Sequence, residues 1–66
     1  MIQSDAEYTA AVEYVNRLQQ ILFELRRTHT PTQFDGMSKA YLKELTRAQR
    51  EIARFLATPE MTESRP

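Results

Sequence analysis

Three observations in the sequence predict an all-α protein, an antiparallel hairpin of two helices. Apolar residues recur at spacings of three and four in two long segments. The pair Thr30-Pro31 separates those segments, and a proline disfavours helical geometry in the residue before it. One glycine and three prolines are the only strong breakers in 66 residues. Two helices joined by so short a connection usually fold back on each other.

The first helix is predicted from about residue 5 to residue 27. Ser4 is a suitable N-cap, and Glu7 can reach back to the Ser4 amide to complete a capping box. Arg26 and Arg27 complement the negative end of the helix dipole. The apolar positions form one stripe made of Tyr8, Ala11, Val15, Leu18, Leu22 and Leu25, which Val12, Tyr14 and Ile21 widen.

The second helix is predicted from about residue 31 to residue 57. Thr30 and Gln33 have the spacing of a second capping box, and Pro31 suits the first helical position. Gly36 leaves two interpretations open, because an interior glycine costs about 1 kcal/mol relative to alanine. Either one helix runs through it, which we favour, or a turn at 31–35 precedes a helix capped by Asp35 or Ser38. The predicted apolar stripe comprises Phe34, Met37, Tyr41, Leu45, Ala48, Ile52 and Phe55, with Leu42 and Leu56 beside it.

The chain divides into a helical hairpin at 1–58 and a tail at 59–66. Pro59 follows Thr58 and ends the helical pattern, because a proline ring clashes with a helix continuing behind it. The tail has no hydrophobic period, so we expect it to be disordered.

Composition narrows the function classes. Nine basic residues balance nine acidic ones, so there is no overall field to attract nucleic acid or an anionic membrane. Cysteine is absent, which excludes a disulfide framework and thiolate metal sites. The N-terminal residues have neither a basic region nor an apolar run, and no apolar stretch reaches the roughly 18 residues of a membrane span. We expect a cytoplasmic protein without cofactors.

Both stripes are wider than one helix–helix contact requires, so we expect a further protein surface to pack against the hairpin. Phe23 adds to this expectation, because it lies away from the stripe where its ring would face water. We expect a homodimeric four-helix bundle, with docking on the helices of another protein as the alternative. The predicted oligomer or partner interface consists of Tyr8, Val15, Leu18, Leu22, Phe23, Leu25, Tyr41, Leu45, Ile52 and Phe55.

A basic stripe runs along the second helix, formed by Lys39, Lys43, Arg47, Arg50 and Arg54. On an ideal helix these cations fall within an arc of about 80° and a length of about 22 Å. Such a row could follow a phosphate backbone, which makes a nucleic-acid-associated regulator the alternative function. The simpler interpretation is the solvated back of an amphipathic helix, and the zero net charge favours it.

No catalytic or metal-binding set is predicted. His29 is the only histidine and lies in the connection, so a zinc site would lack ligands. No nucleophile, base and orienting residue occur together, and no carboxylate falls inside an apolar stripe. The sequence therefore favours a small non-enzymatic interaction or oligomerisation module.

The segment Ser4-Asp5-Ala6-Glu7-Tyr8-Thr9-Ala10-Ala11, followed by a helix and then Thr30-Pro31, resembles the N-terminal helical hairpin of HigA-type antitoxins. That family's pattern is an acidic-Glu-Tyr-x-x-Ala start with a Thr-Pro turn. Its members usually continue into a helix-turn-helix DNA-binding domain, and residues 1–66 include none; the segment after Thr30-Pro31 also lacks the family's acidic character. The resemblance implies an oligomerisation or toxin-contacting arm without the DNA-reading unit.

Overall fold

The computed structural model describes residues 2–58, which form two α-helices and a short connection. Helix α1 spans Asp5–Thr28 and helix α2 spans Pro31–Ala57. The helices pack against each other along their length, and the all-α hairpin is confirmed. Helix α1 is one residue longer than expected, and the tail predicted at 59–66 lies outside the described residues.

The start of α1 is fixed by Ser4, as expected, but the capping box is wrong in one detail. The Ser4 hydroxyl accepts a hydrogen bond from the Glu7 amide at 3.1 Å. The Glu7 carboxylate accepts from the amide of Gln3 at 2.6 Å, and not from the amide of Ser4. In a standard capping box the carboxylate accepts from the amide of the N-cap residue, whereas here it accepts from the amide one residue earlier. The two bonds together fix the chain at the start of α1.

The connection between the helices consists of His29 and Thr30, and the box at the start of α2 is complete. The Gln33 amide donates to the Thr30 hydroxyl at 3.2 Å, and the Thr30 amide donates to the Gln33 side chain at 3.0 Å. Pro31 occupies the first turn, where its missing N–H costs nothing. The turn is therefore specified by local chemistry as well as by packing.

Gly36 lies inside α2, and the continuous helix is confirmed over the alternative with a turn at 31–35. Its backbone has no positive φ, so the helix does not need a glycine there. A Cβ built on Gly36 would meet no atom within 4 Å. The glycine is neither a hinge nor a close-contact position in this fold.

The core of the hairpin is narrow and joins large residues of α1 to small residues of α2. Helix α1 buries Val15, Leu18 and Leu22, whereas α2 buries Ser38 and Ala48. Small side chains at a helix contact let the two backbones approach closely, and the large residues of α1 fill the space beside them. No large side chain within residues 2–58 is completely buried.

The expected stripe of α2 is wrong at one position. Met37 is 45% exposed and Ser38 takes its place in the contact, while Tyr41 is 37% exposed although it lies in the stripe. The actual stripe follows Ser38 because it keeps strict four-three spacing from Phe34. The core positions of α2 are therefore Phe34, Ser38, Tyr41, Leu45, Ala48, Ile52 and Phe55.

Candidate interaction surface

The structure brings most of the predicted interface residues together, but as the inner contact of a single hairpin. Val15, Leu18 and Leu22 are buried. At the open end, the rings of Tyr8 and Phe55 stack with centroids 5.3 Å apart and planes inclined by 23°. The remaining predicted positions of the inner contact, all half-buried, are Leu25, Leu45 and Ile52.

Five large apolar side chains remain exposed within residues 2–58. Phe23, predicted as an outward contact, is 49% exposed, and the guanidinium of Arg27 lies 5.6 Å from its ring centroid. The most exposed of the five is Leu56, at 63%. The complete set is Phe23, Met37, Tyr41, Leu42 and Leu56.

The exposed residues can be assigned to two faces of the hairpin. In a right-handed helix, residues that directly precede core positions lie on one side of the stripe, and residues that directly follow them lie on the other. Tyr14 precedes Val15 and Glu44 precedes Leu45, and the Tyr14 hydroxyl donates to the Glu44 carboxylate at 3.1 Å. The preceding sides of both helices therefore form one face, and the following sides form the opposite face.

The first face, which we call the charged face, has an ordered polar network at its middle. Arg47 donates to Glu44 at 2.7 Å and to Glu51 at 3.1 Å. The hydrogen bond from Arg47, aided by that from Tyr14, holds the pKa of the Glu44 carboxyl below its usual value. The hydrogen bond that Tyr14 donates to Glu44 raises the pKa of the Tyr14 phenol. The residues of the charged face are Glu7, Ala10, Tyr14, Arg17, Ile21 and Glu24 of α1, and Gln33, Met37, Ala40, Glu44, Arg47, Glu51 and Arg54 of α2.

The opposite face, which we call the uncharged face, lacks ionisable side chains over most of its length. It consists of residues that directly follow core positions between Thr9 and Phe23 in α1 and between Leu42 and Leu56 in α2. Arg26, Asp35 and Lys39 continue the same side only near the turn. Its members are Thr9, Val12, Asn16, Gln19 and Phe23 of α1, and Leu42, Thr46, Gln49, Ala53 and Leu56 of α2.

The predicted basic stripe is present on the outside of α2, with all five cations exposed. Arg47 is engaged by two carboxylates, so the row is interrupted at its centre. Glu51, which is adjacent to Arg50 in the sequence, pairs with Arg47. Lys39, Lys43, Arg50 and Arg54 make no ion pair with the part of the chain that the structure describes.

His29 follows the last residue of α1 and helps to close that helix. Its Nδ1 lies 2.9 Å from the Thr28 hydroxyl and 3.2 Å from the carbonyl of Leu25. The ring is half-buried beside a shallow open depression lined by Arg26, His29, Pro31 and Phe34. Its contacts are those of a loop-packing histidine.

Two kinds of feature are absent from residues 2–58. Three or more potential metal ligands do not cluster anywhere in this range. Neither α1 nor α2 combines the length and the apolar character that crossing a bilayer requires.

Sequence reasoning missed the division of the hairpin into a charged and an uncharged face. The signal was available once the core register was known, because each face follows from counting one residue before or after each core position. Hydrophobicity alone selects Met37 over Ser38 as the core residue of α2, and the register that follows from Met37 hides the two faces. Comparison of the chain with protein-family models, curated proteins and solved structures finds no match, so its function is argued from these two faces.

Proposed function

We propose that this chain is a small non-enzymatic oligomerisation module, a hairpin that pairs with a second copy to form a four-helix bundle. One observation carries the proposal: more large apolar side chains are exposed than buried within residues 2–58. Three are buried, namely Val15, Leu18 and Leu22, and five are exposed. Three of the five, Phe23, Leu42 and Leu56, share the uncharged face, and an apolar surface shared in this way on a small protein marks an interaction site.

The energetics of the hairpin support the same conclusion. A two-layer contact between two helices buries little apolar area, and small domains of this length are marginal without further burial. Each exposed large side chain stands to contribute about 1 kcal/mol or more when a partner removes its remaining surface from water. Pairing of two hairpins is the simplest arrangement that covers them.

Sedimentation equilibrium over a wide concentration range, with helicity measured on the same samples, tests the proposal. We expect the molar mass to approach twice 7.7 kDa while the protein stays helical. A chain that remains a monomer at the highest concentration would contradict the proposal, whether or not it is helical.

A second candidate is a nucleic-acid-associated or antitoxin-like regulator, which the exposure of all five residues of the basic stripe favours. Binding should then weaken steeply with salt, because cations that contact phosphates displace counterions. Replacing Lys43, Arg47 and Arg50 by Gln should abolish it. A filter-binding titration with duplex DNA and with RNA at low and high salt decides; no binding at low salt eliminates this candidate.

A further inference from the structure

We infer that the second copy packs on the uncharged face, so that the dimer interface is built from Phe23, Leu42 and Leu56. This inference rests on the proposed self-association and adds which surface is used. Three of the five exposed large apolar residues lie on this face, whereas Met37 alone lies on the charged face.

Charge argues for the uncharged face. Seven of the thirteen residues of the charged face carry a charge at neutral pH, and burying them would remove the network of Glu44, Arg47 and Glu51 from water. Of the thirteen residues that directly follow core positions, three are charged and lie near the turn, and none of the ten in the uncharged face is ionisable. The cores of protein interfaces are likewise depleted in charged residues and enriched in aromatic ones.

The polar residues of the uncharged face argue for a second copy as the occupant. A two-fold dimer places one surface against itself, so each group must be compatible with its own copy. The amides of Asn16, Gln19 and Gln49 and the hydroxyls of Thr9 and Thr46 both donate and accept hydrogen bonds. They are therefore self-complementary, as an ionised group near the two-fold axis would not be.

The size of the uncharged face fits a weak dimer. From Leu42 to Leu56 it is about 21 Å long at 1.5 Å per residue, and two packed helices are about 20 Å wide, so it covers about 420 Å² on each copy. Two copies then bury about 840 Å², which is in the range of weak interfaces below about 1,200 Å². Phe23 lies beyond this area toward the turn, because the Tyr8–Phe55 and Tyr14–Glu44 contacts place it level with residues 35–40 of α2.

A matched pair of substitutions tests the inference. Leu42 and Met37 lie on the same helix with 44% and 45% exposure, but on opposite faces. Arginine is a good helix former, so neither Leu42→Arg nor Met37→Arg should disturb α2 itself. We expect L42R to raise the dimer dissociation constant at least tenfold and M37R to raise it less than threefold, both measured by sedimentation equilibrium with helicity.

Leu56→Arg is a second variant on the uncharged face, at the open end, and should weaken the dimer in the same way. A dimer that M37R disrupts as strongly as L42R, or that neither L42R nor L56R affects, would overturn the assigned face and leave the proposed self-association intact. A wild-type chain that never dimerises would overturn both, and the two failures are thus distinguishable. Leu42→Met, which conserves volume and polarity, should leave the dissociation constant within about twofold of wild type.

Discussion

Both helices have a heptad-like apolar stripe, but they bury side chains of different size. Helix α1 directs its large apolar residues inward, and only Phe23 among them is largely exposed. Helix α2 directs small residues, Ser38 and Ala48, toward α1 and leaves Met37, Tyr41, Leu42 and Leu56 exposed. The two stripes thus differ in burial: α1 contributes most of the buried apolar core, and α2 contributes most of the exposed large apolar residues.

The largest effect should come from a charge on the inward side of α1. Leu22→Asp places a carboxylate in the buried apolar contact, so the hairpin should unfold or its assembly dissociate. Circular dichroism and molar mass provide the measurement. Gln20→Asp on the exposed back of α1 is the matched control and should change little. Retention of native mass and helicity by L22D would contradict the inward role of α1.

Replacing a small buried residue of α2 by a large one should lower the free energy of unfolding less than L22D does. Ser38 is 2% exposed, so Ser38→Leu forces the helices apart, and we expect a loss of about 1–3 kcal/mol of unfolding free energy. Ser38→Ala is the control, because it conserves the small volume and removes a buried hydroxyl that has no side-chain hydrogen bond within residues 2–58. Urea unfolding measures both. A leucine variant as stable as wild type would show that α2 does not depend on a small residue there.

A smaller change of opposite sign is expected at Gly36. The helix needs no special backbone there, and an added methyl group meets nothing within 4 Å. Gly36→Ala should therefore stabilise α2 by about 1 kcal/mol, which raises the thermal midpoint by several degrees. Differential scanning calorimetry provides the measurement. An unchanged or lower midpoint would mean that the glycine has a role the hairpin alone does not reveal.

The smallest effect should come from the polar bond that joins the two helices. The lowered pKa of Glu44 contributes stability above its ordinary value of 4.5, and this is lost as the pH falls through the lowered pKa. The raised pKa of Tyr14 contributes stability below 10.0, and this is lost as the pH rises through the raised pKa. Tyr14→Phe should remove the loss of stability that Tyr14 causes at alkaline pH and should reduce the loss that Glu44 causes at acid pH. The thermal midpoint, measured as a function of pH, reports both. Tyr41→Phe, whose hydroxyl has no hydrogen bond in the described chain, should leave both unchanged.

Local signals in the sequence were sufficient for the helices and their ends. Ser4, Thr30, Gln33 and Pro31 act through bonds within three residues, so their roles can be read without tertiary structure. The register of α2 could not be predicted in this way. Hydrophobicity favours Met37 over Ser38, but the contact selects the side chain that fits between two backbones, and that choice depends on the facing helix.

The candidate surface was predictable only in part for the same reason. Phe23 was identified because its position contradicts the stripe of α1. Leu42 and Leu56 were placed beside the stripe of α2, but their common face with Phe23 depends on the antiparallel pairing that the Tyr14–Glu44 bond establishes. Each helix alone has an uncharged side, but the sequence of one helix does not show that the two sides meet in a single face.

The two-residue connection of His29 and Thr30 has a consequence for the order of events in folding. Closing so short a loop costs little chain entropy, and helical hairpins dominated by local contacts form within microseconds to milliseconds. The hairpin should therefore assemble in a fast step whose rate is independent of concentration. If two hairpins pair as proposed, their encounter is the slow, second-order step, and the lifetime of the single hairpin then shortens as the protein concentration rises.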